Sequence, residues 1–292
     1  MKDPLYLVIN ADDFGKSPSV NDAIESAHRL GLLNSASIMA GGKAFDEAAQ
    51  LAGELPGLSV GLHVTLCDGR AVLPHSEVPG LADGGGSFEK NPAKAGFKYW
   101  TQRKALSGQI EAEIEAQFDR LQAAGITPAH VDSHHHLHAH PVIFNILRKA
   151  ALKRGVEWMR MPPGPFDGFG FFSFYAIPRM HEWMALKAME LFNARLFNGM
   201  PARSRGFFQK SPNTYGFSRT GHFCGDYLAG LIPRLRGPVA EVFLHPDRAT
   251  PGGTREMEAV ISESAKIKKL ADSRGIILAG FKDVKIMQKG LS

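Results

Sequence analysis

The chain of 292 residues exceeds a common single domain but suits one α/β barrel, and its 44 % hydrophobic and 22 % charged residues are those of an ordinary globular protein. A formal charge of +5 admits an anionic partner, but no aromatic-and-basic RNA motif or reading helix accompanies it, which argues against nucleic acid. Two distant cysteines, Cys67 and Cys224, exclude a thiolate metal site and suggest a reducing compartment.

In chain order, short apolar runs alternate with helix-like stretches. The first run, "LYLVIN" (5–10), is interrupted by two aspartates, too soon for a signal-peptide core, and reads as a strand. No apolar span approaches the ~20 residues of a membrane helix, so a cytoplasmic protein is expected. "SPSVNDAIESAHRLG" (17–31) follows as a helix, with serine and proline at its start and glycine as its stop. Further strands are expected at "SASIMA" (35–40), "LSVGL" (58–62), "AHVDS" (129–133), "VEWMRM" (156–161), "AEVFL" (240–244) and "GIILAG" (275–280). Ile110, Ile114, Phe118 and Leu121 recur at helical spacing before Gly125, and helices are expected over 141–155 and 254–275. This alternation predicts a single α/β domain over 1–292, a barrel of about seven parallel strands, with a doubly wound open sheet as the alternative. Residues 64–106 and 162–238 break the rhythm and read as lid or insertion elements of that one domain.

In parallel α/β folds the loops after the strand C-termini share one face, and chemistry collects there. "LYLVIN" runs into Asp12 and Asp13, "LSVGL" into His63, "AHVDS" into "HHHLHAH", and "AEVFL" into His245, while Arg160 sits near the end of "VEWMRM". Each has a plain structural reading on its own: the aspartates could cap a helix, His63 could be a hydrogen-bonded core residue, Arg160 an ion pair, and the histidine run a surface loop. Together they place carboxylates, imidazoles and a guanidinium on one rim. One carboxylate and two imidazoles suit Zn2+, Mn2+ or Co2+, and Mg2+ if waters complete the shell, and three protein ligands leave a position open for water. A second carboxylate as base and an imidazole as acid complete the parts of a metal-assisted hydrolase.

"NADDFG", "GLHVTL", "AHVDSHHHLH" and a late "LHP", in that order over most of the chain, resemble the YdjC-like (chitooligosaccharide deacetylase-like) family. The resemblance implies a distorted TIM-like (β/α) barrel that removes acetyl groups from N-acetylated sugars with one divalent cation, Zn2+ or Mg2+. It also implies Asp13, His63 and His134 as metal ligands, Asp12 as general base and His245 as general acid. The division of labour between Asp12 and Asp13 comes from the resemblance alone. Arg160, His136 and His138 are expected to line the sugar site, His135 to be structural, and Asp132 to orient an imidazole or to start a helix. Family members often read "HPG" or "HPA" where this chain reads "HPD", which leaves the role of Asp247 open.

"LPHSEVPGLADGGGSF" and "VEWMRMPPGPF" look most like the hopanoid-biosynthesis-associated branch, which implies an N-acetylglucosaminyl lipid as substrate. Residues 166–210 concentrate Phe, Met and Leu beside Arg179, Lys187, Arg195, Arg203, Arg205 and Lys210, as a peripheral contact with the inner membrane requires. A lid helix or an oligomer contact is the alternative. The competing functions are a deacetylase of soluble chitooligosaccharide-like sugars, a metal phosphoesterase, for which "ADD" is a poor match, and a non-catalytic sugar-binding barrel.

Overall fold

The computed structural model describes residues 5–160, 184–189, 191, 212–217, 220, 223–248, 256 and 260–284. At its centre is β1 (Leu5–Phe14), buried at every position after Leu5. β2 (Ser35–Ile38), β3 (Ser59–Val64), β4 (His130–Ser133) and β5 (Trp158–Met159) follow on one side of it, all parallel. On the other side lie β7 (Val239–Leu244) and then β6 (Asn213–Tyr215), while β8 (Ile276–Leu278) pairs with Leu5–Leu7. The resulting order, β5–β4–β3–β2–β1–β7–β6, keeps consecutive strands adjacent on both sides of β1. Such one-way winding belongs to a distorted (β/α) barrel and not to a doubly wound sheet, which reverses direction at a switch point. Among the described residues β5 and β6 do not pair, so the barrel is open.

The helices form where capping and apolar spacing ask for them. α1 (Pro18–Arg29) starts on Ser17, whose side chain accepts from the Val20 N–H, and ends at Gly31 with φ +79°. α2 (Phe45–Glu54) and α3 (Pro92–Thr101, capped by Asn91) cover ground that the sequence left unassigned. α4 (Arg103–Ala123) buries Ile110, Ile114, Phe118 and Leu121. It also buries two polar residues that act as hooks. Gln117 exchanges hydrogen bonds with the Thr65 backbone (3.0 and 2.7 Å), and Glu113 accepts the Val72 and Leu73 N–H groups (2.9 and 3.0 Å). The segment after β3 is thereby anchored beside the strand ends. α5 (Pro141–Lys153), α6 (Gly225–Leu231) and α7 (Ser264–Asp272) complete the set; the helix expected over 254–275 lies partly outside the described residues, and a turn at 262–263 precedes α7 within it.

Seven strands form the ordered path of the sheet and an eighth, β8, pairs with β1 beside it, in line with the expected barrel of about seven parallel strands. One strand not assigned from sequence, β6, lies inside the 162–238 region, and its three residues carry no apolar alternation to reveal it. Of the segment 166–210, only 184–189 and 191 are described, and they are helical; the rest of the expected membrane-contact stretch lies outside the described residues. No described helix is long and apolar enough to cross a membrane.

Candidate metal centre

Parallel pairing sets His63 on β3 beside Asp132 on β4, so the ends of β1, β3, β4 and β7 deliver their polar residues to one cavity of about 870 Å3. Neighbouring residues of a strand normally face opposite sides, yet Asp12 and Asp13 both line this cavity. The pairing of β1 with β2 is irregular between Ala11 and Phe14, and Asp13 adopts a left-handed φ of +67°. That break in the pleat turns two consecutive carboxylates the same way. His135 and His136, at φ +53° and +54°, similarly swing the chain after β4, so that His134, His135 and His136 all reach the cavity.

Asp13 Oδ1 lies 2.8 Å from His134 Nδ1 and 3.4 Å from His63 Nε2. One donor atom from each of these buried residues falls within 4.8 Å of the others. Asp13 Oδ1, His63 Nε2 and His134 Nε2 lack hydrogen-bond partners among the described residues. Buried polar atoms are nearly always satisfied, and a carboxylate and two imidazoles gathered this closely, with Asp13 Oδ1 and His63 Nε2 unpartnered and facing each other, have the chemistry of a divalent-cation site. The residues therefore fit a metal. Burial opposes ionisation of Asp13, but the His134 and His63 imidazoles against it and their charge outweigh it and hold the carboxyl well below the usual carboxylate range. Lys16 engages the other oxygen at 2.8 Å.

A buried framework aims these ligands. His63 Nδ1 meets Asp132 Oδ1 at 2.7 Å, which leaves Nε2 facing Asp13. Burial would lower the His63 pKa, yet the charge of Asp132 and the nearby Asp13 carboxylate raise it to about 10, so cation and proton compete for this nitrogen. Asp132 Oδ2 accepts from Ser37 (2.7 Å) and faces Arg160 Nη2 (2.8 Å). Ser37 also meets His130 at 3.0 Å, and only a glycine at position 61 leaves room for that ring, since a Cβ there would lie 2.3 Å from it.

Arg160 sits behind the aspartates, fully buried and outside the cavity lining. Its guanidinium forks onto both oxygens of Asp12 at 2.7 Å and also donates to Glu241 through Nε (2.9 Å) and Nη2 (2.8 Å). Asn10 adds a hydrogen bond to Asp12 Oδ1 at 2.8 Å. Burial pushes the Glu241 carboxyl up to about 7 against the pull of Arg160, whose single charge is divided among three carboxylates. His245 follows β7, with Nε2 3.8 Å from Asp12 Oδ2. Burial opposes its protonation, but the adjacent Glu256 carboxylate and the charge of Asp12 raise its pKa.

Of the three residues expected at the sugar, His136 lines the cavity, held between Phe217 and Phe243 (ring centroids 5.5 and 5.1 Å) and kept neutral by burial. His138 does not: it is fully buried, bonded to Ser133 at 2.7 Å, and burial lowers its pKa to about 3. Arg160, like His138, is a support behind the surface. His135 instead reaches Asp68 at 3.2 Å across the cavity mouth. Sequence reasoning missed Glu241, Glu256, Lys16 and Asp68. A signal existed for Glu241, a lone charge inside the apolar run "AEVFL"; Glu256 stands in no pattern that separates it from surface acids.

A family profile described as YdjC-like protein matches residues 6–273. A carbohydrate deacetylase of Brevibacillus brevis is 32 % identical over 294 aligned residues, which span 96 % of this chain and 100 % of the relative. A chitooligosaccharide deacetylase of Salmonella typhimurium is 38 % identical over 154 residues, 51 % of this chain and 57 % of the relative. A crystal structure from Enterococcus faecalis V583, provisionally described as a cellobiose-phosphate cleavage protein, shares the fold with a TM-score of 0.70 at 23 % identity, covering 97 % of this chain and 99 % of that one. By this profile match and the similarity to the Brevibacillus relative over its whole length, the chain belongs to the YdjC-like protein family.

Proposed function

We propose that this chain is a metal-dependent carbohydrate deacetylase that hydrolyses the N-acetyl group of an N-acetylglucosamine-type sugar, with soluble chitooligosaccharide-like sugars as the first substrate class. One observation carries the reading: Asp13, His63 and His134 present unpartnered buried donors to the cavity into which Asp12 and His245 also face. The names of the Brevibacillus and Salmonella relatives support the same activity and, in the second case, the same soluble substrate class. A divalent cation held by Asp13, His63 and His134 supplies positive charge that polarises the amide carbonyl and makes water more acidic.

The remaining chemistry belongs to the side chains. Asp12, held by the Arg160 fork, takes the proton of the attacking water. His245, on the same cavity, delivers a proton to the departing nitrogen as the C–N bond breaks. Amide and water thus become acetate and a free amine. His136, neutral and seated among aromatic rings, contacts the sugar. The 64–106 and 162–238 elements serve as covers of the cavity, which Asp68 and Pro92 line from the first and Leu186 and Phe217 from the second.

A second substrate reading is favoured by a neighbouring groove of about 610 Å3. Phe97, Trp100, Leu137, Pro141 and Met189 line it, and it shares Pro92, His135, His136, Ala185 and Leu186 with the catalytic cavity. Phe97 is 72 % exposed and Trp100 43 %, an apolar cost that an apolar aglycone would offset. A lipid-linked N-acetylglucosaminyl glycoside of the hopanoid type would place its lipid there. Acetate release from N,N'-diacetylchitobiose and from an N-acetylglucosaminyl glycoside with a long alkyl aglycone, each with and without chelator, tests both readings. Release from neither by metal-replete enzyme refutes the deacetylase. Equal kcat/KM for the two refutes a lipid role for the groove.

A further inference from the structure

His245 ends β7 with little of its own to hold its ring. Its Nδ1 has no hydrogen-bond partner among the described residues, and its Nε2 is 3.8 Å from Asp12 Oδ2, beyond hydrogen-bond reach. The ring meets Phe243 edge-on at 5.9 Å between centroids, a contact that limits its tilt without fixing its protons. The charged group on its other side is Glu256, which is 1 % exposed and also lines the cavity. One carboxylate oxygen, Glu256 Oε2, accepts the His245 backbone N–H and lies 3.7 Å from His245 Nδ1. The same atom therefore pins the main chain at the end of β7 and stands beside the ring nitrogen that points away from Asp12.

We propose that Glu256 is the positioning residue for His245, keeping Nδ1 protonated and Nε2 directed at Asp12 and the scissile nitrogen. This rests on the reading of His245 as proton donor. The backbone bond places the carboxylate before the imidazole is charged. When the ring gains its second proton, a swing of about 1 Å closes the gap at Nδ1 to an ordinary charge-assisted hydrogen bond. The imidazolium is held most tightly when it is ready to donate. A buried carboxylate behind the imidazole plays this part in the Ser-His-Asp triad.

Glu256→Gln and Glu256→Ala separate anchoring from charge. The Gln amide oxygen still accepts the backbone N–H, so the variant is expected to fold and load metal as wild type does, while Ala loses both contacts. In metal-replete Glu256→Gln, kcat for acetate release is expected to fall ~100-fold with KM within about twofold, a loss in the range typical of general acid–base groups. The direct readout is the imidazole 15N resonance of His245, assigned by its loss in His245→Asn. Glu256→Gln should lower the His245 pKa by at least one and move the neutral ring toward the other tautomer. An unchanged His245 titration and tautomer in Glu256→Gln overturns the proposal whatever the kinetics show. Should His245→Asn turn over like wild type, the donor reading fails instead, and the resonance still decides whether Glu256 positions the ring.

Discussion

Replacing Glu241 by glutamine should flatten part of the pH dependence of folding. Glu241 is fully buried on β7; Oε1 accepts from Arg160, and Oε2 meets the Thr214 hydroxyl at 3.1 Å. Arg160 has already given its fork to Asp12 and faces Asp132, so its charge stabilises Glu241 only in part, and burial dominates. A carboxyl whose pKa rises on folding from 4.5 to about 7 stabilises the fold fully below pH 4.5 and loses that contribution as pH climbs through 7. The rise is worth about 3 kcal/mol at roughly 1.4 kcal/mol per tenfold, of which about 2–3 kcal/mol is lost between pH 5 and pH 8. Glutamine mimics the protonated acid and cannot ionise. Urea unfolding of chelator-treated protein at the two pH values should therefore show Glu241→Gln gaining about 2–3 kcal/mol on wild type as pH rises. Other groups, His63 and His245 among them, titrate in both proteins and largely cancel in the difference. Parallel curves, with a constant gap between variant and wild type, would refute the reasoning.

The other predictions concern the centre itself. Asp12→Asn should keep its metal while kcat falls by about 10²–10⁴-fold, as expected for loss of a general base; full turnover in the metal-loaded variant would remove Asp12 from that role. Asp132→Asn leaves every proposed ligand in place but weakens the partner that orients His63, so metal affinity measured by competition with a chromophoric chelator should drop about 10–100-fold. Unaltered affinity would mean that Asp132 serves packing alone.

Much of the centre was legible because a parallel sheet converts sequence order into spatial order. Asp12, Asp13, His63, His134 and His245 each follow an apolar run, and the ends of parallel strands point one way. The supports were harder to read. Arg160 was visible at the end of its run, but only the packing of β5, β1 and β7 shows that it faces Asp12, Asp132 and Glu241 in place of the cavity. His138 sits among identical residues, and its burial follows from the left-handed turn at His135 and His136, a conformation that the letters do not announce. α3 was missed because its apolar residues do not all face a core: Phe97 and Trp100 point outward into the groove and blur the helical pattern. The polar hooks Glu113 and Gln117 look like surface residues until the segment after β3 is seen to lie against α4.

The most direct test is a metal titration of chelator-stripped protein, followed by acetate release from N,N'-diacetylchitobiose alongside bound metal per chain. A centre built on Asp13, His63 and His134 predicts that activity returns in proportion to binding and saturates near one equivalent, and that Asp13→Ala and His63→Ala recover neither metal nor activity. Undiminished acetate release from stripped protein, or full metal loading and activity in Asp13→Ala, would contradict it.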